Sequence, residues 1–395
     1  MLKFFQGILL AASLLLPPAV HAQNNRFADT TFNNDGQLES VLTYRIVEQD
    51  TLRWGEARFY YSNTALWQKG YYVRDVMDST WITYFPDGSI KRKARYEKGF
   101  KNGPVLNYFE NGNIKTEGRY QMDSLNGQMK MYYADGQLQE IRHYQDHDLN
   151  GLITGYYPDG TLNYRFNYVD STQSGLYEKY FPNGELMEKG QMIGQEFFGE
   201  YNSFYDNGQL RKDYTYNKSF EIDGPYRVYH DNGNVKIKCT YVDGEIQGEW
   251  KQFHHNGSVF EQGAYVDGSR SGEWLSFYPD SSLYMQGKYF NGLAGGKWVV
   301  YHPNGEIKQS GFFLKGKPHG KWIYYFDNGR IKKKGNYDSD RQTGHWVHYY
   351  ENGQVKLDLY YDDGKLDGIL TAYDEEGNLL EQAEFVEGQM IRQLK

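Results

Sequence analysis

The sequence predicts an all-β protein, an elongated array of about 13–14 stacked β-hairpins forming a twisted single-layer ribbon. Three observations predict it. First, a turn glycine returns every 24 residues: Gly88, Gly112, Gly136, Gly160, Gly184, Gly208, then Gly233 after one extra residue, then Gly257, Gly305, Gly329, Gly353 and Gly377. Ser281 fills the one missing slot in phase. Second, each turn lies between two short runs rich in aromatic and β-forming residues, the pattern of a hairpin. Third, Tyr (38) and Gly (44) dominate the 395 residues, while aliphatic residues are too few for a deep core. Tyr has an apolar ring and a wet hydroxyl, which suits a thin structure whose core is never far from water.

Taken in order, the chain opens on an export signal. Met1–Lys3 is a short positive start, Ile8–Leu16 an apolar run and Val20-His21-Ala22 a small-residue cleavage site, so residues 1–22 read as a secretory signal peptide. The apolar run is too short to cross a bilayer, and no Cys follows it to carry a lipid. Residues 23–55 form a degenerate capping unit around Gly36, residues 56–386 the repeat array, and residues 387–395 a polar C-terminal tail. Thr64 occupies the turn slot 24 residues before Gly88. About 27 strands are expected from this count, each about 4.8 Å from the next and twisted by roughly 20–25°.

The segment Gly320–Thr343 serves as the type unit. Gly320-Lys321-Trp322-Ile323-Tyr324-Tyr325-Phe326 is the outgoing strand, Asp327-Asn328-Gly329 the turn, and Arg330–Tyr337 the return strand. Asn-Gly and Asp-Gly pairs favour such turns because both residues tolerate positive φ, and Pro pre-sets the turn at 86–88, 158–160, 182–184 and 303–305. A looser connection ending in a second periodic glycine (Gly103, Gly127 and on to Gly368) leads to the next unit.

Comparison among units assigns the conspicuous aromatics to structure. The return-strand slots between Trp250, Trp274, Trp298, Trp322 and Trp346 are all glycine: Gly263, Gly287, Gly311 and Gly335. Where the slot is bulky (Arg142, Phe166, Tyr214, Leu359), at least one flanking residue is not Trp. Indole packed over bare backbone explains both facts. Cys239, the one cysteine, falls in the same small slot and reads as a buried spacer; a disulfide within the chain is impossible.

With the pattern Gly-x-Trp-x-x-Tyr-Tyr/Phe/His-x-Asn-Gly-x-Ile/Val-x-x-x-Gly-x-Tyr laid out, the chain resembles the MORN-repeat family, most strongly over residues 248–361 and more weakly back to Trp81. More specifically it is similar to the MORN repeat variant group, which includes proteins named YwqK-type antitoxins. The resemblance implies a stack of β-hairpins acting as an interaction platform, in some members at membranes or self-associating.

Composition and motifs narrow the function. A net charge of −8 spread along the chain lacks the basic stripe a nucleic-acid binder needs. Nucleophile elbows, phosphate-cradling loops and zincin motifs are absent, no cofactor is implied, and the chain is expected not to be an enzyme. His230, His254 and His302 share a repeat position with Tyr133, Tyr157, Tyr205 and Tyr350, so they read as members of a ring column; His254-His255 and His345-x-x-His348 lack further zinc-like ligands. The expectation is an exported scaffold that binds a protein partner, associates with an envelope or membrane surface, and forms homo-oligomers. A second reading is a module for glycan or lipid headgroups that uses the column Tyr108, Tyr132, Tyr156, Tyr180 and Tyr229. A third is an antitoxin-like neutraliser of a partner protein.

Overall fold

The computed structural model describes residues 25–395, so the signal peptide expected over residues 1–22 lies outside the described residues. The described residues form 34 strands and no helix, an all-β hairpin array. The chain divides into two compact units, Met1–Gly136 and Gln137–Lys395. Within each unit the strands run antiparallel, each paired with its neighbours in sequence. The strand number exceeds the expected 27 for two reasons. The N-terminal stretch carries the long strands Arg26–Phe32, Leu38–Val47 and Asp50–Tyr60, and the expected tail contains a further strand, Gln389–Gln393, paired with Leu379–Val386. In addition, some outgoing strands are interrupted at the residue before their glycine, as at Asn126 between Ser124–Leu125 and Gly127–Tyr132.

Two kinds of turn close the hairpins, on opposite rims. At His302-Pro303-Asn304-Gly305 the Gly305 N–H donates to the His302 carbonyl (2.9 Å) and the His302 N–H to the Glu306 carbonyl (2.8 Å). This is a three-residue loop, a type I turn followed by one left-handed residue, and the pairing register slips beside it between Val300 and Tyr301. Only the glycine takes positive φ (+87°). The Asn is therefore not chosen for positive φ, as the sequence suggested. Its Oδ1 accepts the Glu306 N–H (3.1 Å) and its Nδ2 donates to the Asp327 carbonyl of the next turn (2.7 Å). The same bridge recurs from Asn111, Asn183, Asn207, Asn232, Asn256 and Asn352. Ser281 makes the same turn, with φ +71° and its N–H donating to the Tyr278 carbonyl (2.9 Å).

The other rim is tighter than the loose connection expected. Lys315 and Gly316 both take positive φ (+50° and +81°) between the paired residues Leu314 and Lys317, a two-residue type I′ turn. The Gly316 N–H reaches back to the Ala294 carbonyl of the preceding repeat (2.8 Å). The second periodic glycine is not in this connection. Gly320 sits inside the strand Lys317–Tyr325 at φ +68°, where the pairing jumps from Phe312↔His319 to Ser310↔Ile323. It is a bulge residue, and left-handed backbone is what demands glycine there. The one-residue insertion between Gly208 and Gly233 also finds its place. Asn217–Glu221 replaces the tight turn with a three-residue loop, in which Phe220 takes φ +65°.

Candidate functional site

The Trp–Gly pairing positions everything else. A Cβ on Gly263, Gly287, Gly311 or Gly335 would lie 2.0 to 2.3 Å from the indole eleven residues on, Trp274, Trp298, Trp322 or Trp346. Gly70 and Trp81 repeat the arrangement in the first unit (2.2 Å). The paired Trp on the other side of each slot is a neighbour in the ladder, Trp298↔Gly311 for example, but the downstream Trp fills it. Trp250 and its four successors are all buried. Their edges meet Tyr265, Tyr289, Phe313 and Tyr337 in near-perpendicular contacts at 5.2–5.4 Å between centroids. Cys239 is buried against Trp250 and Tyr226, and burial pushes its thiol up to about 11.

Tyr108, Tyr132, Tyr156, Tyr180 and Tyr229 are all half-buried. A long polar side chain fifteen residues earlier covers several rings of this column. Lys93 Nζ lies 5.6 Å from the Tyr108 centroid, Tyr132 donates to Glu117 (2.8 Å), and Arg165 donates to the Tyr180 hydroxyl (2.9 Å). The column is therefore not a bare stacking surface. The adjacent ring column laces repeats together. The hydroxyls of Tyr157, Tyr205, Tyr278 and Tyr350, and Nε2 of His230 and His254, all donate to a backbone carbonyl of the next repeat at 2.8–3.1 Å. His is interchangeable with Tyr here because either presents one N–H or O–H at the same reach. His255 pairs with Asp231 (2.9 Å) and His345 with Asp358 (2.7 Å).

Two surfaces that sequence reasoning missed stand out. The first is an open groove of about 900 Å³ whose lining includes Lys308, Lys332, Lys333, Lys356, His302 and His348. Lys308, Lys332 and Lys356 occupy one repeat position in three successive units and are exposed. Ammonium groups cover the rings around it: Lys332 on Phe326 (5.5 Å), Lys356 on Tyr350 (5.1 Å), Lys333 on Tyr324 (4.4 Å) and Lys334 on Tyr349 (5.3 Å). Among the described residues, none of these lysines pairs with a carboxylate within 4.0 Å. Burial and then Lys332 hold the Lys333 ammonium below its ordinary pKa. Burial, then Lys333 and Lys356, hold the His348 imidazole below its own, and His348 Nε2 is buried without a hydrogen-bond partner. Glu351 and Glu375 supply the counter-charge at one end of the lining. The 24-residue recurrence of lysine was legible, but each residue alone reads as ordinary surface charge.

The second surface runs along the tight-turn rim. Val242, Val266, Phe290 and Leu314, each the last residue before its turn, are exposed, Phe290 by 61 % and Leu314 by 54 %. Leu293 and Phe312 widen the row. The flanking turns carry Asp243, Glu245 and Asp267 at one end and Lys315 and Lys317 at the other.

The sequence signature described as "MORN repeat variant" matches twelve segments of the chain: 77–98, 101–122, 125–146, 149–170, 173–193, 199–218, 222–243, 246–267, 294–315, 318–339, 342–363 and 366–387. The repeat around Ser281 falls between two matches, yet folds like its neighbours. No curated protein matches the chain. Among solved structures, it aligns with a TcdB2-TccC3 crystal structure at 13% identity and TM-score 0.16, over 92% of this chain and 24% of that one. It also aligns with the Tc holotoxin pore of Photorhabdus luminescens at 12% identity and TM-score 0.15, over 92% of this chain and 23% of that one. The chain thus spans about a quarter of the length of those chains, and likeness at such scores carries no structural or functional inference. With the signature covering more than half of its length, the chain belongs to the MORN repeat variant family.

Proposed function

We propose that the protein is an exported, non-enzymatic scaffold that docks protein along the tight-turn rim of residues 242–317. The observation that carries the reading is the exposed apolar cluster Phe290, Leu293, Phe312 and Leu314, extended by Val266 and Val242 beyond Ser269 and Glu245, because exposed apolar surface gathered on a folded chain marks a contact site. Its flanking charges make it self-complementary. A two-fold axis at Phe290 sets Asp267 of one copy against Lys315 of the other, with the apolar rows in contact. The first occupant is accordingly a second copy of this chain. His230 and His254 donate to backbone carbonyls of the next repeat, and burial keeps the Cys239 thiol protonated, so these three groups serve the fold.

Sedimentation velocity tests this reading. The wild type is expected to dimerise with rising concentration, and Phe290→Glu with Leu314→Glu to stay monomeric with unchanged circular dichroism. A wild type that remains monomeric at its highest soluble concentration overturns the docking assignment. Export is tested by fractionation, with the mature chain expected to begin at Gln23 outside the cytoplasm; recovery of an uncleaved cytoplasmic chain overturns it.

A further inference from the structure

We propose that the groove along Lys308, Lys332 and Lys356 binds a linear acidic polysaccharide with one anionic group per disaccharide. Three observations place an anion there. Between His302 and Leu357 the sequence holds ten Lys and Arg against five Asp and Glu, although the whole chain has a net charge of −8. The groove lysines have no carboxylate partner among the described residues, and His348 Nε2 is left without one on the floor. Unpaired cations gathered in one groove repel each other, and an anion relieves that repulsion.

Spacing selects the form of the anion. Equivalent positions in successive repeats are two strands apart, so Lys308, Lys332 and Lys356 stand at intervals of roughly 9.6 Å. A compact anion, such as a single phosphate, reaches one of them. An extended acidic peptide repeats its same-face side chains every second residue, roughly 6.8 Å, or every fourth, roughly 13.5 Å, and matches neither interval. A polysaccharide with a charge on alternate rings repeats over two sugar units, a length of the right order, and can engage all three lysines at once. Elsewhere the position is broken by Gln139, Asn163, Met187, Phe260 and Tyr284, and three consecutive lysines occur only here.

Ring chemistry argues against a neutral sugar as the main occupant. Stacking needs a free aromatic face, and Lys332, Lys333, Lys334 and Lys356 already lie over Phe326, Tyr324, Tyr349 and Tyr350. Recognition at this groove therefore runs through charge.

Isothermal titration with hyaluronan oligosaccharides, which carry one carboxylate per disaccharide, tests the assignment. The hexasaccharide is expected to bind at least about ten-fold more tightly than the disaccharide, since its second and third contacts are intramolecular. Replacing one exposed lysine, Lys332→Gln, is expected to weaken binding several-fold and to lower the slope of log affinity against log salt by about one, the release of one counter-ion. Lys91→Gln, at the same repeat position in the first unit, is expected to leave both unchanged. Equal affinity for the two lengths, no binding of the hexasaccharide, or an unaltered Lys332→Gln variant overturns the proposal. So does tighter binding to poly-glutamate, polyphosphate or phosphatidylserine vesicles than to the hexasaccharide.

Discussion

Two glycines nine residues apart hold their places for different physical reasons. Gly311 is required by volume, since a Cβ there would lie 2.0 Å from the Trp322 ring. Gly320 is required by backbone, with φ +68° and no heavy atom within 4 Å of an added Cβ. Gly311→Ala is expected to cost about 1–3 kcal/mol through overpacking in the wild type and less than that in a Trp322→Val background, since Ala94 with Val105 already fills that arrangement in the first unit. Gly320→Ala is expected to cost about 1–2 kcal/mol, mostly recovered by Gly320→Asn, which tolerates the left-handed region. Urea denaturation of these four variants and of Gly311→Asn separates the two causes; a Gly311→Asn variant as stable as Gly320→Asn would mean that φ governs both. Cys239 carries a pH signature. Its folded pKa, about 11, stands above the unfolded value of about 8.5, so stability is complete below the latter and falls as pH rises toward the former. Cys239→Ala is expected to flatten that alkaline decline up to the onset of tyrosine ionisation, as read from melting temperature against pH. The size rule was legible because big and small residues alternate visibly across repeats. The φ rule was not, because a glycine in a sequence does not say which of its two freedoms is in use.

At the level of the hairpin, side chains at the turns do more than shape the turn. Asn304 closes its own loop through Oδ1 and grips the next repeat through Nδ2. Asn304→Asp keeps the first contact and loses the second, while Asn304→Ala loses both. The expected order of melting temperatures is wild type, Asp, Ala, with about 1 kcal/mol per lost bond. An Asp variant as stable as wild type would deny the bridge any energetic role. His254 makes the parallel case: His254→Tyr should be near neutral, because Tyr278 donates to the Tyr301 carbonyl from the equivalent position, whereas His254→Phe should cost about 1 kcal/mol by stranding the Phe277 carbonyl. The interchange of His and Tyr was readable from their shared position. The bridge from Asn304 was not, since Asn-Gly serves equally well in a hairpin that touches no neighbour. The type I′ turns carried a signal that was passed over, since Asp243-Gly244, Asp267-Gly268 and Asn291-Gly292 are favoured pairs for them; Lys315-Gly316 is not, and there a bond from the Gly316 N–H to the preceding repeat helps hold the turn.

For the molecule as a whole, the period is the unit of stability. Each strand bonds mainly to its sequence neighbours, so removing one whole period should leave every rule intact, whereas removing half of one should not. Deleting residues 282–305 joins Ser281 to Glu306, keeps the turn that begins at Tyr278, and sets Trp274 beside Gly311 with Trp322 to follow. Deleting residues 282–293 instead fuses a turn to an outgoing strand and reverses every later pairing. The 24-residue deletion is expected to unfold cooperatively with a slightly smaller dependence on urea, and the 12-residue deletion to expose tryptophan and resist refolding. The longer deletion also separates the two surfaces. It removes Phe290 and Leu293 from the apolar row but leaves Lys308, Lys332 and Lys356 at their intervals. A shortened protein that still binds the hyaluronan hexasaccharide but no longer dimerises would place the two activities on independent surfaces of one scaffold. Loss of hexasaccharide binding in a variant that retains its cooperative transition would show instead that the groove needs His302, whose place Tyr278 takes in the deletion, as well as the three lysines.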